Sequence, residues 1–162
     1  EIGFRELMTN TKELATDVGT VISGAQAVEM GLIDQTGSGN QIVLAGYSLA
    51  GLFALYNLFR TDKYSGIIAC SPSVWYPGFV EYVHQTKPRP CRNVYLSLGV
   101  REEMSRNPLW RNVGGQIREV YDYLENDPSI SRTVLEWNEG GHFHDPQGRL
   151  IKGVLWMKEE WE

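Results

Sequence analysis

Short apolar runs and longer helical patterns alternate along the chain from residue 41 onward, and this order constrains the fold more than any other feature of the sequence. Each apolar run is short and continuous, which indicates a strand buried on both faces of a sheet. The predicted strands are 42–45, 66–70, 93–98 and 132–137, and the predicted helices are 49–60, 113–124 and 147–157. Residues 74–84 are expected to form a half-buried helix or an aromatic-lined loop. This alternation predicts an α/β fold of three layers, with a mostly parallel sheet flanked by helices.

Composition excludes several classes of partner. Lys and Arg number 15 and Asp and Glu number 20, a formal net charge of −5, so charge does not favour binding to nucleic acid or to a membrane. No apolar run approaches the roughly 20 residues that a bilayer requires, and the N-terminus lacks the pattern of a signal peptide. Cys70 and Cys91 fit no metal spacing and indicate buried thiols in a reducing, cytoplasmic compartment. We expect no cofactor and no metal.

The strongest chemical signal is the segment Gly-Tyr-Ser-Leu-Ala-Gly at 46–51, between the first of these strands and an apolar helix. This context is typical of a nucleophile elbow, a strained turn that lifts a serine hydroxyl above the edge of a sheet. Ser48 is therefore the candidate nucleophile. The amide of Leu49, at the start of the helix, is a candidate donor to an oxyanion. The fifth position is Ala50 rather than glycine, and it is still small. The alternative is a serine that only caps the helix in a tight turn.

A serine hydroxyl needs a base to remove its proton, and the chain has three histidines. His142 follows the last predicted strand, which is where histidine falls in the chain order of serine hydrolases that have this elbow. His84 is expected at the surface, and His144 is expected to be a solvated loop residue. His142, His144 and Asp145 also suggest a metal site, but no further histidine or cysteine lies at a supporting spacing.

The acid that orients the imidazole is expected directly after the third of these strands. Glu102 and Glu103 occupy that place, and Glu102 is the candidate. The alternative is that both are solvated glutamates paired with Arg101 or Arg106. Asp145 is a more distant candidate for the same role.

Aromatic residues near these positions are candidates for a substrate pocket. Tyr47 precedes the candidate nucleophile and Trp75 follows the second strand, so both are expected at the active edge of the sheet. Trp110 belongs to a second aromatic group farther along the chain. For each cluster, a position in the core is the alternative interpretation.

From about residue 41 to 157 the sequence resembles an esterase family of the α/β-hydrolases that includes esterase D-like enzymes, feruloyl esterases and enterochelin-type siderophore esterases. The matching stretches are IVLAGYSLAGLFALY, GIIACSPSVWYPGF, VYLSLGVREEMSRNP and LEWNEGGHFHDP. The resemblance implies Ser48 as nucleophile, His142 as base and Leu49 as one oxyanion amide. It implies Glu102 as the acid, because the family's other usual position holds Val100. Some siderophore esterases are described as working with a Ser–His pair and little help from an acid.

The residues before the elbow strand resemble a different family. The segment TDVGTVISGAQAVEMGLIDQTG is similar to the C-terminal part of Clp-type serine peptidases and their crotonase-fold relatives. It contains neither that family's nucleophile nor its histidine, and Gly19 stands where the acid would fall. We expect one domain that is a chimera, recombined or designed. Its parts are a crotonase-like segment at 1–36, a junction at 37–40 and the C-terminal half of an α/β-hydrolase at 41–162.

The edge of the first strand of the alternation is expected to need a cover. About 40 residues precede this strand, too few for the several strands that a complete hydrolase of this kind has there. Those missing strands would also bring the second oxyanion amide. A helix predicted at 4–15 and short strands predicted at 18–22 and 32–34 are expected to cover the edge. Without that cover we expect a homodimer through it.

Two functions follow from these interpretations. The first is a serine hydrolase that acts on small carboxylic esters through Ser48, His142 and Glu102, with weak activity because the front of the fold is missing. The second is a folded chimera without catalytic activity, in which the hydrolase motifs are relics.

Overall fold

The computed structural model describes residues 41–161. The elements predicted at 4–15, 18–22 and 32–34, the crotonase-like segment and the junction lie outside the described residues.

Strands and helices alternate along the described chain, as the sequence predicts. The strands are β1 (Val43–Tyr47), β2 (Gly66–Cys70), β3 (Cys91–Gly99) and β4 (Ile130–Asn138). The α-helices are α1 (Leu49–Leu58), α2 (Phe79–Gln85), α3 (Pro108–Arg111), α4 (Val113–Glu125) and α5 (Pro146–Glu159), and a 3₁₀ turn covers Glu102–Met104.

The strands form one parallel sheet in the order β1-β2-β3-β4. Tyr47 pairs with Cys70, Cys70 pairs with Ser97, and Gly99 pairs with Asn138. The carboxyl ends of neighbouring strands are therefore level. Because loops that leave the carboxyl ends of parallel strands share one edge of the sheet, side chains far apart in sequence can meet there.

Helices cover both faces of the sheet. Successive side chains of a strand point to opposite faces, so Ile67 belongs to the larger apolar cluster and Ile68 to the smaller one. The larger cluster packs the sheet against α1, α2 and α4. The smaller cluster packs it against α5, which contributes Met157. The predicted three-layer α/β fold is confirmed for the described residues.

Some boundaries differ from the predicted ones for local reasons. Strands β3 and β4 begin before the predicted residues 93 and 132, because Cys91 pairs with Ile130. The hydrogen-bonded pairing of the two strands thus extends into a more polar part of the sequence. Helix α2 begins only at Phe79, since Gly78 adopts a left-handed φ of 80° just before it. Helix α3 and the 3₁₀ turn lie in a polar stretch without apolar periodicity, and the sequence did not predict them.

Several features bear on partners. Cys70 and Cys91 are free and buried, as predicted, and burial raises their thiol pKa values to about 12 and about 11. No helix within residues 41–161 is long and apolar enough to cross a membrane. The same part of the chain holds no group of His, Cys, Asp and Glu side chains arranged for a metal ion. Strand β1 forms an edge of the described sheet, and its cover by residues 1–40 or by a second copy stays a prediction.

Gly153 is the point of closest approach between α5 and the sheet. A Cβ at this position would lie 2.6 Å from Ile68 Cγ2 and 2.9 Å from Tyr95 Cδ1. We expect Gly153→Ala to lower the free energy of unfolding by about 1–3 kcal/mol through overpacking, measured by urea denaturation. Gly115→Ala, on the exposed face of α4, is the matched control, and we expect it to be neutral or to stabilise by up to about 1 kcal/mol. Equal shifts in the two variants would contradict this packing argument.

Candidate active site

Ser48 is the single residue between β1 and α1, and the backbone turns sharply there with φ 57° and ψ −119°. Non-glycine residues populate such dihedrals sparsely, so the turn stores strain. Hydrogen bonds hold it in place. The Ser48 amide donates to the Cys70 carbonyl at 2.9 Å, and the Ser48 carbonyl accepts from the amides of Leu52 and Ser73 at 3.0 Å each. Gly46 permits the close approach of strand and helix, because a Cβ there would overlap the backbone of Ala50.

Ser48 occupies the N-cap position of α1, but its side chain makes no capping hydrogen bond. This observation removes the main support for the alternative in which the hydroxyl serves only to start the helix. The hydroxyl is instead directed to groups above the sheet edge. Its Oγ lies 2.9 Å from His142 Nε2 and 3.4 Å from Ser73 Oγ.

Three side chains from three loops form a continuous hydrogen-bonded series. His142 lies in the loop 139–145 between β4 and α5, which we call the histidine loop. Its Nε2 is 2.9 Å from Ser48 Oγ, and its Nδ1 is 2.8 Å from Glu102 Oε2. Glu102 lies in the 3₁₀ turn after β3. The structure thus brings together the three residues that the sequence singles out.

Glu102 is buried, and hydrogen-bond donors surround its carboxylate. Oε1 accepts from Ser71 Oγ at 2.6 Å, from the Gly99 amide at 2.8 Å and from Arg149 at 2.9 Å. Burial alone would raise the pKa of this carboxyl. Hydrogen bonds from His142, Ser71 and Gly99 outweigh burial and hold the pKa of Glu102 below its usual value.

The ionised Glu102 decides the tautomer of His142. A carboxylate only accepts hydrogen bonds, so the imidazole must donate through Nδ1. In the neutral ring Nε2 is then left without a proton and accepts from the Ser48 hydroxyl. This is the arrangement in which an imidazole can act as a general base toward a serine.

The other candidates for acid and base lie elsewhere. Glu103 pairs with Arg118 at 3.1 Å, and the Asp145 side chain caps α5 by accepting from the Gly148 amide. His84 is exposed and contacts Glu119, and His144 is exposed in the histidine loop. The alternative of two solvated glutamates does not describe Glu102, whose side chain is 5% exposed.

The amide of Leu49 begins α1 directly after Ser48. The first amides of a helix have no partner within the helix, so they are available to an anion. The Leu49 amide is one of these first amides, and it directly follows the candidate nucleophile in sequence. Its use as a donor to an oxyanion stays a prediction.

Aromatic rings extend from His142 along one side of the site. The Trp110 ring stacks on His142 with centroids 6.4 Å apart, and Trp75 lies 6.0 Å from Trp110. Phe143 contacts His142 edge-on and is largely exposed. Tyr47 is buried, with its ring 5.6 Å from His142 and its hydroxyl donating to the His142 carbonyl at 2.6 Å. Contact of Tyr47 or Trp75 with a substrate stays a prediction.

Sequence reasoning missed Ser71 and Arg149. Ser71 follows β2 with a positive φ of 42°, and no motif marks it. Arg149 belongs to a stripe with Gly153 and Met157, whose spacing of four residues places all three on the buried face of α5. This spacing was the signal in the sequence that could have indicated burial of Arg149. A charged residue, however, is ordinarily expected to be exposed to solvent.

No family model matches the sequence, and no curated protein matches it. Solved structures do match. The siderophore hydrolase EstB from Aspergillus nidulans is 22% identical, with 74% of this chain and 49% of that chain covered and a TM-score of 0.60. The siderophore hydrolase EstA from the same organism is 20% identical, with 83% and 52% covered and a TM-score of 0.57. An acylaminoacyl peptidase from Pyrococcus horikoshii is 13% identical, with 83% and 25% covered and a TM-score of 0.52.

At these identities the likeness shows the fold. The parallel sheet with flanking helices is the fold that this chain shares with these structures. The chain spans about half the length of the two siderophore hydrolases.

The lowered pKa of Glu102 predicts a pH-dependent contribution to stability. A carboxyl whose pKa falls on folding stabilises the fold above its unfolded pKa, near 4.3, and loses that contribution as the pH drops through its folded pKa. We expect Glu102→Gln to be destabilising at pH 7, and the difference from wild type to shrink below about pH 4.5. Urea unfolding at pH 7, 5 and 4 measures it. Glu103→Gln, at a partly exposed ion pair worth about 0–1 kcal/mol, is the control. A difference that stays constant with pH would refute the expectation.

Proposed function

We propose that this protein is a serine hydrolase that acts on small carboxylic esters. The observation that carries the proposal is the hydrogen-bonded series from Ser48 through His142 to Glu102, with the serine in a strained turn at the carboxyl edge of a parallel sheet. Two of the structural neighbours are described as siderophore hydrolases and one as an acylaminoacyl peptidase. Those descriptions support hydrolysis as the reaction class, and they leave the substrate of this chain open.

In the proposed reaction Ser48 Oγ attacks the ester carbonyl carbon while His142 Nε2 takes the hydroxyl proton. The negative oxygen of the tetrahedral intermediate accepts a hydrogen bond from the Leu49 amide. Collapse of the intermediate breaks the bond to the alcohol oxygen, and the imidazolium returns the proton to the departing alcohol. Water, deprotonated by the same imidazole, then hydrolyses the acyl-serine and restores the free hydroxyl.

Glu102 has two tasks in this scheme. It accepts from His142 Nδ1, which keeps the ring in the tautomer and orientation that proton transfer needs. Its negative charge also stabilises the imidazolium that forms when Ser48 loses its proton. Because three other donors hold the carboxylate in place, little reorganisation accompanies each turnover.

We propose that turnover is slow. In α/β-hydrolases the second oxyanion amide comes from a loop that precedes the elbow strand, and the sequence before this strand resembles a different family. Leu49 is the donor that we identify within residues 41–161. Loss of one such donor lowers the rate by about 10²–10³.

Ser48→Ala tests the nucleophile. We expect wild type to hydrolyse p-nitrophenyl acetate and to be labelled stoichiometrically by a fluorophosphonate probe at Ser48, located by peptide mass spectrometry. The variant should lose labelling, and its hydrolysis should fall to the rate of buffer, because its methyl group cannot attack. Ser131→Ala, an exposed serine near the start of β4, is the matched control and should behave as wild type.

Equal hydrolysis by wild type and Ser48→Ala would contradict the proposal. A cooperative thermal transition without any labelling of wild type would favour the alternative, a folded chimera in which the site is silent. Labelling at another serine would show that the nucleophile lies elsewhere.

Trp75 is proposed to line the substrate pocket beside Trp110. An aromatic contact is worth about 1 kcal/mol, which corresponds to about a fivefold change in binding. We expect Trp75→Ala to raise KM for p-nitrophenyl benzoate about fivefold and to change kcat little, since such a contact acts equally in ground and transition states. Trp156→Ala, on the opposite face of the sheet against Tyr95, is the control. A fall in kcat with unchanged KM would instead assign Trp75 a role in positioning His142.

A further inference from the structure

Arg149 carries a positive charge into the interior of the protein. Its side chain projects from α5 and is 1% exposed, the least accessible charged residue among residues 41–161. A buried guanidinium is tolerated only where hydrogen bonds and an opposite charge compensate its lost hydration. The identity of its partners therefore shows what the residue is for.

One end of the guanidinium holds the acid of the site. Nη1 lies 2.9 Å from Glu102 Oε1, 2.7 Å from Ser71 Oγ and 3.1 Å from the Tyr47 hydroxyl, and its two protons are shared among these three acceptors. The Ser71 hydroxyl in turn donates to the same Glu102 oxygen at 2.6 Å. The contacts that Arg149 and Ser71 make with Glu102 both fall on Oε1, and Oε2 is the oxygen that faces His142.

The other end holds the histidine loop. Nη2 donates to the carbonyls of Glu139 and Gly141 at 3.0 and 2.9 Å, directly before His142 in sequence. The Tyr47 hydroxyl, itself bonded to Arg149, donates to the His142 carbonyl at 2.6 Å. Tyr47 is also the residue before Ser48. The guanidinium thus touches the segments that carry the nucleophile, the acid and the base.

We propose that Arg149 is a positioning residue that fixes the separation between Glu102 and the histidine loop, and thereby the alignment of His142 with Ser48. The inference rests on the proposed function. None of the hydrogen bonds that Arg149 donates goes to Ser48 Oγ or to the His142 ring, so its effect passes through the groups that it holds.

The chemistry of the guanidinium explains why arginine occupies this position. Its planar fork presents separate nitrogens in a rigid geometry, so one side can hold a carboxylate while the other holds backbone carbonyls. A lysine ammonium at the same place has the charge but a single nitrogen. It can reach the Glu102 end or the loop end, and not both. Methionine fills a similar volume and offers neither interaction.

The experiment compares Arg149→Lys and Arg149→Met with wild type, and Arg132→Met is the control for loss of an arginine at the surface, where it pairs with Glu160. Urea unfolding reports the fold. Hydrolysis of p-nitrophenyl acetate separates kcat from KM. Proton NMR with ¹⁵N-labelled histidine detects the Nδ1 proton that His142 shares with Glu102, whether or not the protein turns over substrate.

We expect Arg149→Lys to unfold cooperatively, with kcat at least tenfold lower and KM within threefold of wild type. Arg149→Met should lose about 10² in kcat, the effect of a misplacement of about 1 Å, together with the Nδ1 proton signal. Arg132→Met should match wild type in both measurements. A selective fall in kcat is the signature of lost alignment, because loss of a binding contact would raise KM.

Wild-type kcat and an unchanged Nδ1 signal in a cooperatively folded Arg149→Lys protein would overturn the proposal. Failure of Arg149→Lys to fold would also overturn it, because the role of the guanidinium would then be to stabilise the fold. If wild type neither hydrolyses esters nor labels at Ser48, the proposed function fails. The NMR comparison then still decides whether Arg149 positions the His142 ring.

Discussion

A buried carboxylate needs a full set of donors, and this requirement organises the whole site. Glu102 receives hydrogen bonds from the end of β2, from β3, from α5 and from the histidine loop, through Ser71, Gly99, Arg149 and His142. Any segment that moved away would take a hydrogen-bond donor from this buried charge, which is unfavourable. The carboxylate thus ties the loops together, and the apolar clusters tie the helices to the sheet.

Helix α5 takes part both in the hydrogen bonds around Glu102 and in the apolar packing against the sheet. Met157 and Gly153 pack its inner face against β2 and β3, and Arg149 continues that face to the carboxyl edge of the sheet. The apolar contacts fix the position of α5 on the sheet. From that position, the guanidinium of Arg149 holds the histidine loop by hydrogen bonds. The packing of α5 on one face of the sheet therefore helps to determine where the histidine loop lies at the carboxyl edge.

Local sequence was sufficient where a residue's role depends on its neighbours in the chain. The apolar run before Ser48 and the apolar helix after it predicted the turn, and the chain order predicted His142. The choice between Glu102 and Glu103 needed the structure, because these adjacent glutamates differ only in which side chain faces the interior. Arg149 could not be assigned from sequence, since its partners come from four segments, and three of these lie 47 or more positions away along the chain. The chimera predicted from the first residues remains a prediction.

Ser48 and His142 are separated by 94 positions along the chain, and they follow strands β1 and β4, with β2 and β3 between them. During synthesis the serine therefore leaves the ribosome long before the imidazole that would activate it. Throughout that interval its hydroxyl has only the reactivity of an ordinary alcohol. Under the proposed function, the hydrogen-bonded series can therefore be completed only after the histidine loop has been synthesised.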